Sequence, residues 1–582
     1  MDTGTAASRL DELERRFGQP WEPANPVGFG EIVAADERAE MLAAGEDLLD
    51  EYGLNAEFVP VSDGGRFDRL DGLIEVMKAV YRRDPCLGLG YGFSSFLAAV
   101  NVWAAGDAAQ RAQVAGTLLA NRRISVAYHE LAHGNDFAGA EFAATPAGDG
   151  LCLNGGKQVI ANIRRADALV LFARTSDAPG SRSHSQILVD KTAVPADRLR
   201  YLPRFHTAGM RGVQLAGIEL RDHVVPATQV LGAAGRGVET ALRSFQLTRT
   251  ALPAIAVAQL DTGLRTTLRH CLARNLYGRP VTDLPLTRSV LVDAFVDELI
   301  CDCFGTVVAR AIHLLPGECS VHAAALKYLV PGRLAEAMYQ LSVVLGAQFY
   351  LREGPHAIFG KQLRDLAPSV FAHVARAACQ ATLLPQLPVL ARRSWSAGQE
   401  APAALFDLSA ALPPLRFDLL SLTSAGRDTI GPALAVAAER IDDGDPSHRE
   451  VARLARGFVA QLGELRERCA HLPPVELGIS AGPESYALTA RYATVLATSA
   501  CLNLWSHNHL DPFLRDPAWL VAALGRLAGQ TCRDDAIEAQ LFAELLARHR
   551  EDRTFDIAGR PLGRPAGTVA DPIETSRRPQ WT

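Results

Sequence analysis

The chain has 582 residues, 48% of them hydrophobic and 21% charged, enough apolar material to offset chain entropy and to exclude global disorder. At roughly 150 residues per domain, the length alone suggests about four units. Against 65 Asp and Glu stand 59 Lys and Arg, a net charge of −6, so no basic field exists to hold a nucleic-acid backbone.

The start of the chain has no basic segment followed by an apolar one, so no secretory leader is expected. No run reaches the ~18 uninterrupted apolar residues of a spanning helix, and a cytoplasmic location is expected. The ten cysteines are scattered without a CxxC pair. They read as buried reduced thiols and not as a zinc ribbon or redox centre.

Apolar residues at three-to-four spacing predict helices over Ala34–Tyr52, Phe67–Arg83, Gly92–Trp103 and Gln110–Ala120. The texture changes at Ile124. Short β-type runs follow at Ile124–Tyr128, Leu151–Asn154, Ala168–Arg174, Gln186–Val189 and Gly217–Leu220, separated by Gly- and Pro-rich turns. Long helical segments return at Val238–Asn275, Thr287–Leu315 and His322–Phe349 and suit an antiparallel bundle. A Pro/Ala/Ser-rich stretch, Pro385–Pro402, precedes further helices at Arg449–His471, Pro483–Leu504 and Ala518–Leu527, and an irregular tail after Arg553. The expected fold class is α+β, mostly α. It comprises an N-terminal helical domain (1–125), a middle β domain (126–233), a C-terminal helical bundle (234–390) and a helical extension (391–582).

Several motifs recur in this order. Gly106-Asp107 with Gln110-Arg111 precedes the β region, followed by Tyr128-His129-Glu130 and Gly134-Asn135-Asp136. Next come Asn154-Gly155-Gly156-Lys157 with Ile160-Ala161-Asn162, Gly209-Met210-Arg211-Gly212 and Val225-Pro226. The helical part adds Thr248-Arg249, Arg274-Asn275-Leu276-Tyr277-Gly278, Leu345-Gly346-Ala347 and Arg364-Asp365. Together, over about residues 30–385, they resemble the acyl-CoA dehydrogenase and acyl-CoA oxidase superfamily. The long extension resembles the arrangement in the oxidases and longer-chain dehydrogenases.

The resemblance implies FAD between the β domain and the bundle, an acyl-CoA or acyl-carrier-protein substrate, and a homodimer or homotetramer. It places Tyr128, His129, Asn135, Ala161, Arg274, Tyr277 and Gly346 at the cofactor, with His373 and Arg249 at the chemistry. His373, or Ala372 with a one-residue slip, falls where the family carries its catalytic Glu, and a neutral imidazole can serve as a base near neutrality. Ala161, Val159, Val343 and Ala347 replace family residues that touch or approach flavin. On residues alone, His373 reads more readily as an ordinary packed or surface helix histidine, and Arg274 equally as a solvated helix-end arginine. Two alternatives therefore stand beside flavin chemistry: a redox-neutral thioester enzyme using His as acid and base, or a non-catalytic partner subunit. His129-Glu130-Leu131-Ala132-His133 spells HExxH, but a strand before it and Gly134 after it deny the helix a zinc site needs. No metal is expected.

Overall fold

The computed structural model describes residues 5–562 apart from 179, 373, 397–399 and 531–533. Six helices form the N-terminal part: α1 (Ala6–Phe17), α2 (Phe29–Glu37), α3 (Ala43–Tyr52), α4 (Leu70–Arg83), α5 (Ser94–Ala105) and α6 (Ala108–Leu119). The single helix expected over Ala34–Tyr52 is broken. Ala39 adopts φ +55°, and the break is where other parts of the chain dock. Arg211 and Arg364 reach the Asp36 carboxylate at 2.9 and 2.8 Å, and Arg204 donates to the Ala39 carbonyl. Leu87–Ala105, a π-turn running into α5, is 19 residues long and by length and composition apolar enough to cross a membrane; 89% of it is buried inside the fold. The sequence reading missed it because Gly88, Gly90 and Gly92 interrupt the apolar pattern.

Helix α6 begins at a capping box in which the Asp107 side chain accepts from Gln110 N and the Gln110 side chain accepts from Asp107 N. The amide nitrogen of Gln110 also donates to the Thr228 and Val230 carbonyls. One motif thus starts a helix and ties it to the far end of the β domain.

Seven strands form the sheet, in the order β1 (Ile124–Ala127), β4 (Ala168–Arg174), β2 (Ala143–Ala147), β3 (Gly150–Ala161), β7 (Leu215–Pro226), β6 (Leu199–Tyr201), with β5 (His184–Asp190) also on β4. β2 and β6 carry too little alternation to read from sequence. β3 and β7 run 12 residues each, well beyond their expected cores, because register shifts at Leu153/Gly155 and Lys157/Ile160 let the pair absorb the glycines as bulges.

The bundle is built on α7 (Gly237–Ala273, 37 residues), α8 (Pro285–Leu314) and α9 (Cys319–Leu345). The short helices α10 (Ala357–Leu366), α11 (Pro368–Phe371), α12 (Arg376–Leu383) and α13 (Leu387–Arg393) follow. The extension contributes α14 (Ile430–Glu439), α15 (Arg449–Ala470), α16 (Pro483–His507), α17 (Pro517–Leu527) and α18 (Asp535–Arg550). Beyond α18, Thr554–Ile557 threads back into the body: Phe555 N donates to Asp261, Ile557 N to Asp302, and Asp556 meets Lys78.

Asp428 joins the extension to the bundle. Its buried carboxylate lies 3.1 Å from His322 Nε2 of α9 and accepts from Trp395 Nε1 (2.9 Å), Tyr492 OH (2.8 Å) and Gly431 N (3.0 Å). Burial pushes this carboxyl up, but the His322 contact and the other donors outweigh it and hold it below the ordinary carboxylate value. A depressed folded value contributes stability that is present above the unfolded value of ~3.9 and lost as pH falls through the folded one. Asp428→Ala leaves buried donors unpaired and is expected to cost about 3–5 kcal/mol, and the deficit against the native chain should shrink in acid. Thermal denaturation of both proteins from pH 7 down to pH 3 checks this; an unchanged midpoint at pH 7 would contradict it.

Candidate active site

Tyr128, at the end of β1, is 2% exposed and turns its ring away from solvent. Its hydroxyl donates to Asn101 Oδ1 of α5 (2.6 Å) and accepts from Gln186 Nε2 of β5 (3.1 Å). Ser244 Oγ of α7 donates to the same Asn101 oxygen (2.6 Å), and Gln186 Nε2 also reaches the Gly237 carbonyl. Burial pushes the phenol well above its usual value, so it stays a neutral donor. Around it pack Phe137, Phe172 and Phe245, with centroids 5.5–5.7 Å from the Tyr128 ring. N-terminal domain, β domain and bundle therefore meet at one aromatic, hydrogen-bonded junction.

The loop after β1 is fixed by a buried ion pair. Lys157 Nζ lies 2.7 Å from Glu130 Oε1 and donates to the Tyr128 carbonyl, while Glu130 accepts from Glu141 N and Phe142 N. Glu130 is thus fully engaged. His129 packs on Phe137, and its Nδ1 lies 3.1 Å from the Gly134 carbonyl; burial pushes its imidazole down. His129 and His133 flank a turn, not a helix. Among the described residues the group with metal-ligand spacing is Asp84, Cys86 and Asp365, and Lys361 Nζ already sits 2.5 Å from both carboxylates.

The residues assigned to the cofactor fall into two groups. Tyr128, His129, Asn135 and Ala161 lie in the β domain, Asn135 exposed at the turn and Ala161 half-buried at the end of β3. Arg274, Tyr277 and Gly346 lie at the far ends of α7 and α9. Arg274 and Tyr277 are exposed, Tyr277 at 88%, on the hairpin Asn275–Leu276/Arg279–Pro280; Gly346 ends α9 with φ +57°. From Phe245 at the junction to Arg274 is about 40 Å along α7 at ~1.5 Å per residue. One chain cannot close both groups on one ligand.

His373 lies outside the described residues. Arg249 is 4% exposed on α7, one turn from Phe245, with its guanidinium carbon 5.5 Å from that ring. Its Nη1 lies 3.4 Å from Thr382 Oγ1 of α12, and its Nε has no partner among the described residues. Beside it are two groups the sequence reading did not single out. Lys327 of α9 is 0% exposed and donates to the Ser369 carbonyl at 2.5 Å; Cys379 of α12 is likewise buried. Burial pushes Lys327 down to about 8, opposed by a pull from Cys379 and then aided by the Arg249 charge; the Cys379 thiol is itself pushed up by burial. The one available signal for Lys327 was a lone cation inside the apolar run Ala323–Val330.

The helical–β–helical body with its junction at Tyr128 is the architecture of the acyl-CoA dehydrogenases. The profile for the acyl-CoA dehydrogenase C-terminal domain matches residues 235–368. Mitochondrial isovaleryl-CoA dehydrogenase of Oryza sativa subsp. japonica is 25% identical over 334 residues, 55% of this chain and 76% of that protein. The Bos taurus enzyme is 26% identical over 332 residues, 54% and 74% of the two chains. Among solved structures, butyryl-CoA dehydrogenase from Megasphaera elsdenii superposes with a TM-score of 0.57 at 19% identity, covering 65% of this chain and 96% of its own. A prolyl acyl carrier protein oxidase gives 0.58 at 17%, covering 65% and 97%. Over its body the chain is a distant relative of the acyl-CoA dehydrogenases, with a C-terminal region beyond the matched part.

That family is FAD-dependent, and the residues present here fit FAD by a changed donor set. Tyr128 and His129 spend their side chains internally and Ala161 has no donor. In their place the β3 bulge takes the main chain of Gln158 and Val159 out of the β7 ladder, and Val159 forms an isolated bridge with His129. Asn135 is exposed at the turn, and Arg274 is exposed with its Nη1 3.3 Å from His270 Nε2.

Lys327 binds fewer protons folded than unfolded between about pH 8 and its ordinary value of ~10.4, so its contribution to stability rises with pH across that window. At pH 7 the folded chain carries the full cost of burying the charge. Lys327→Met is therefore expected to raise the thermal midpoint at pH 7, by about 1–3 kcal/mol of stability, with a smaller gain at pH 9.5. Calorimetry at both pH values tests this, and a lower midpoint at pH 7 would contradict it.

Proposed function

We propose that the chain is an FAD-dependent oxidoreductase acting on the CH–CH bond of an acyl thioester carried by CoA or a carrier protein. The observation that supports it is the continuous likeness to acyl-CoA dehydrogenases through the β domain and bundle, combined with a donor set that accommodates FAD at their junction. When bound, FAD supplies the hydride acceptor for the β-carbon.

The chain's residues have separate tasks. Main-chain groups of the β3 bulge and Asn135 hold the ring end, with Tyr128, His129 and Ala161 forming its bed. The aromatic wall of Phe137, Phe172 and Phe245 excludes water and strengthens every polar contact inside. His373 removes the α-proton. Arg249 and Lys327 add positive potential that favours the enolate-like charge left on the thioester.

The ends of α7, α8 and α9 carry exposed Tyr277, Leu286, Tyr339, Val343 and Tyr350 around Arg274 and Gly346. Such an apolar surface rimmed by charge suits a second copy, which would bring Arg274 to the partner's cofactor. Light scattering is expected to give a dimer or tetramer; a monomer at micromolar concentration would contradict this arrangement.

The purified protein is expected to take up FAD, and its flavin absorbance to bleach anaerobically on adding an acyl thioester. His373→Ala should retain flavin and lose at least about 100-fold in bleaching rate. A protein that binds thioester but takes up no FAD would replace this reading with redox-neutral chemistry on the same fold.

A further inference from the structure

After α18 the chain turns back and lays a short strap, Thr554–Ile557, against α4, α7 and α8, each of its four residues at most 5% exposed. The strap is gripped along its length. Arg265 Nη2 of α7 donates to the Arg553 carbonyl (2.6 Å), Phe555 N to Asp261 (3.0 Å), Ile557 N to Asp302 (3.0 Å), and Arg548 of α18 to the Asp556 carbonyl (2.5 Å). Asp552 and Leu562, on either side of the strap, wall a cleft together with Trp21 of the N-terminal part and Arg82, Arg83 and Arg265. The strap thus closes one side of the joint between the N-terminal helices and the bundle.

Docking the strap completes a group of four carboxyls. Asp261 comes from α7, Glu298 and Asp302 from one face of α8, and Asp556 from the strap, all at most 3% exposed. Three of them are paired. Lys78 of α4 lies 2.5 Å from Asp302 and 3.4 Å from Asp556, while Arg82 and Arg265 lie 3.4 and 3.3 Å from Asp261. Glu298 is not: both of its oxygens are buried without a partner, a condition no other carboxyl among the described residues shares. Burial, and then the Asp261 and Asp556 charges, push the Glu298 carboxyl well above the ordinary carboxylate range; Arg82 opposes them and Asp302 adds to them. The Cys301 thiol of α8, itself pushed up by burial, also feels the Glu298 charge. A buried carboxyl without a cation takes up a proton in place of a charge.

Protonation and docking therefore favour each other. Asp556, which Lys78 and Arg82 hold ionised against its burial, brings a negative charge toward Glu298 whenever the strap docks. An ionised Glu298 repels that charge, and by linkage docking tightens the hold of Glu298 on its proton by the factor with which the proton strengthens docking. We propose that Glu298 is a proton-held latch for the strap: with a proton on its carboxyl, Thr554–Ile557 stays seated on α4, α7 and α8, and loss of that proton releases the segment and opens the cleft it closes. A raised folded value contributes stability that is full below the ordinary glutamate value of ~4.3 and is lost as pH rises through the folded one. Asp302, pushed up to about 6 by burial against the pull of Lys78, is ionised before the latch opens. Lys78, whose burial is outweighed by Asp302, Glu75 and Asp556, stays charged throughout.

The test is limited trypsin digestion of the full-length native protein and of Glu298→Gln, followed as cleavage of the Arg553–Thr554 bond between pH 7 and pH 9.5. Comparing the two proteins at each pH removes the protease's own pH dependence. They should be cleaved alike at pH 7. At pH 9.5 the native chain should be cleaved at least about tenfold faster, the factor supplied by one pH unit beyond the folded value. Cuts within α7 and α8 should stay slow in both. Equal cleavage of the two proteins at every pH would overturn the latch, and so would native cleavage that rises equally throughout the bundle. A second measurement needs no variant: infrared spectroscopy of the native protein at pH 8 should show the carbonyl stretch of a protonated carboxyl. Its absence there would overturn the proposal.

Discussion

The phenol of Tyr128 is the point on which the arrangement of the chain turns. It sits at the end of a β-strand, yet its partners come from α5 of the N-terminal part, β5 of the sheet and, through Asn101, α7 of the bundle. Buried polar groups are costly to leave unpaired, and the phenol is satisfied from α5 and from β5, while Gln186 Oε1 has no partner among the described residues. No domain can shift without stranding a donor or acceptor in an apolar interior. Phe137, Phe172 and Phe245 close around the ring because that hydrogen-bonded knot holds their backbones at the right separation.

The electrostatics follow from the same economy. Where the fold needs a rigid joint it buries a complete ion pair: Glu130 with Lys157 behind the loop, Asp84 and Asp365 with Lys361 between α4 and α10, Asp428 with its four donors between bundle and extension. Arg249 and Lys327 depart from that pattern: Arg249 Nε is buried without a partner among the described residues, and Lys327 donates to a main-chain carbonyl. Deviations from a protein's own habits are where function sits most often, since a purely structural pressure would have removed them.

Much of this was legible in the sequence. Long helices and the change of texture at Ile124 follow from hydrophobic period alone, and the ordered motifs carried the family. What stayed hidden has physical causes. β2, with Pro146 in its middle, and the three-residue β6 exist because the long β3–β7 pair and β4 offer them edges, a tertiary effect with no local pattern. The break between α2 and α3 is imposed by arginines from the β domain and α10. Glu130 read as part of a possible zinc motif, and only Lys157, 27 residues on, reveals it as a strut. The cofactor residues looked like one set in sequence and lie at two ends of a 37-residue helix in space. Lys327 showed only as a lone cation in an apolar run, because burial without a counter-charge is a property of three dimensions.

The claim at the centre of this account is that the junction removes hydrogen from adjacent carbons of an acyl thioester. Mass spectrometry of thioester recovered after incubation with the FAD-loaded protein and an electron acceptor tests it most directly. The account predicts a product lighter by two hydrogen atoms, with deuterium lost from both the α- and β-carbons of a labelled substrate. Loss or exchange of the α-deuterium alone, with the mass otherwise unchanged, would contradict it.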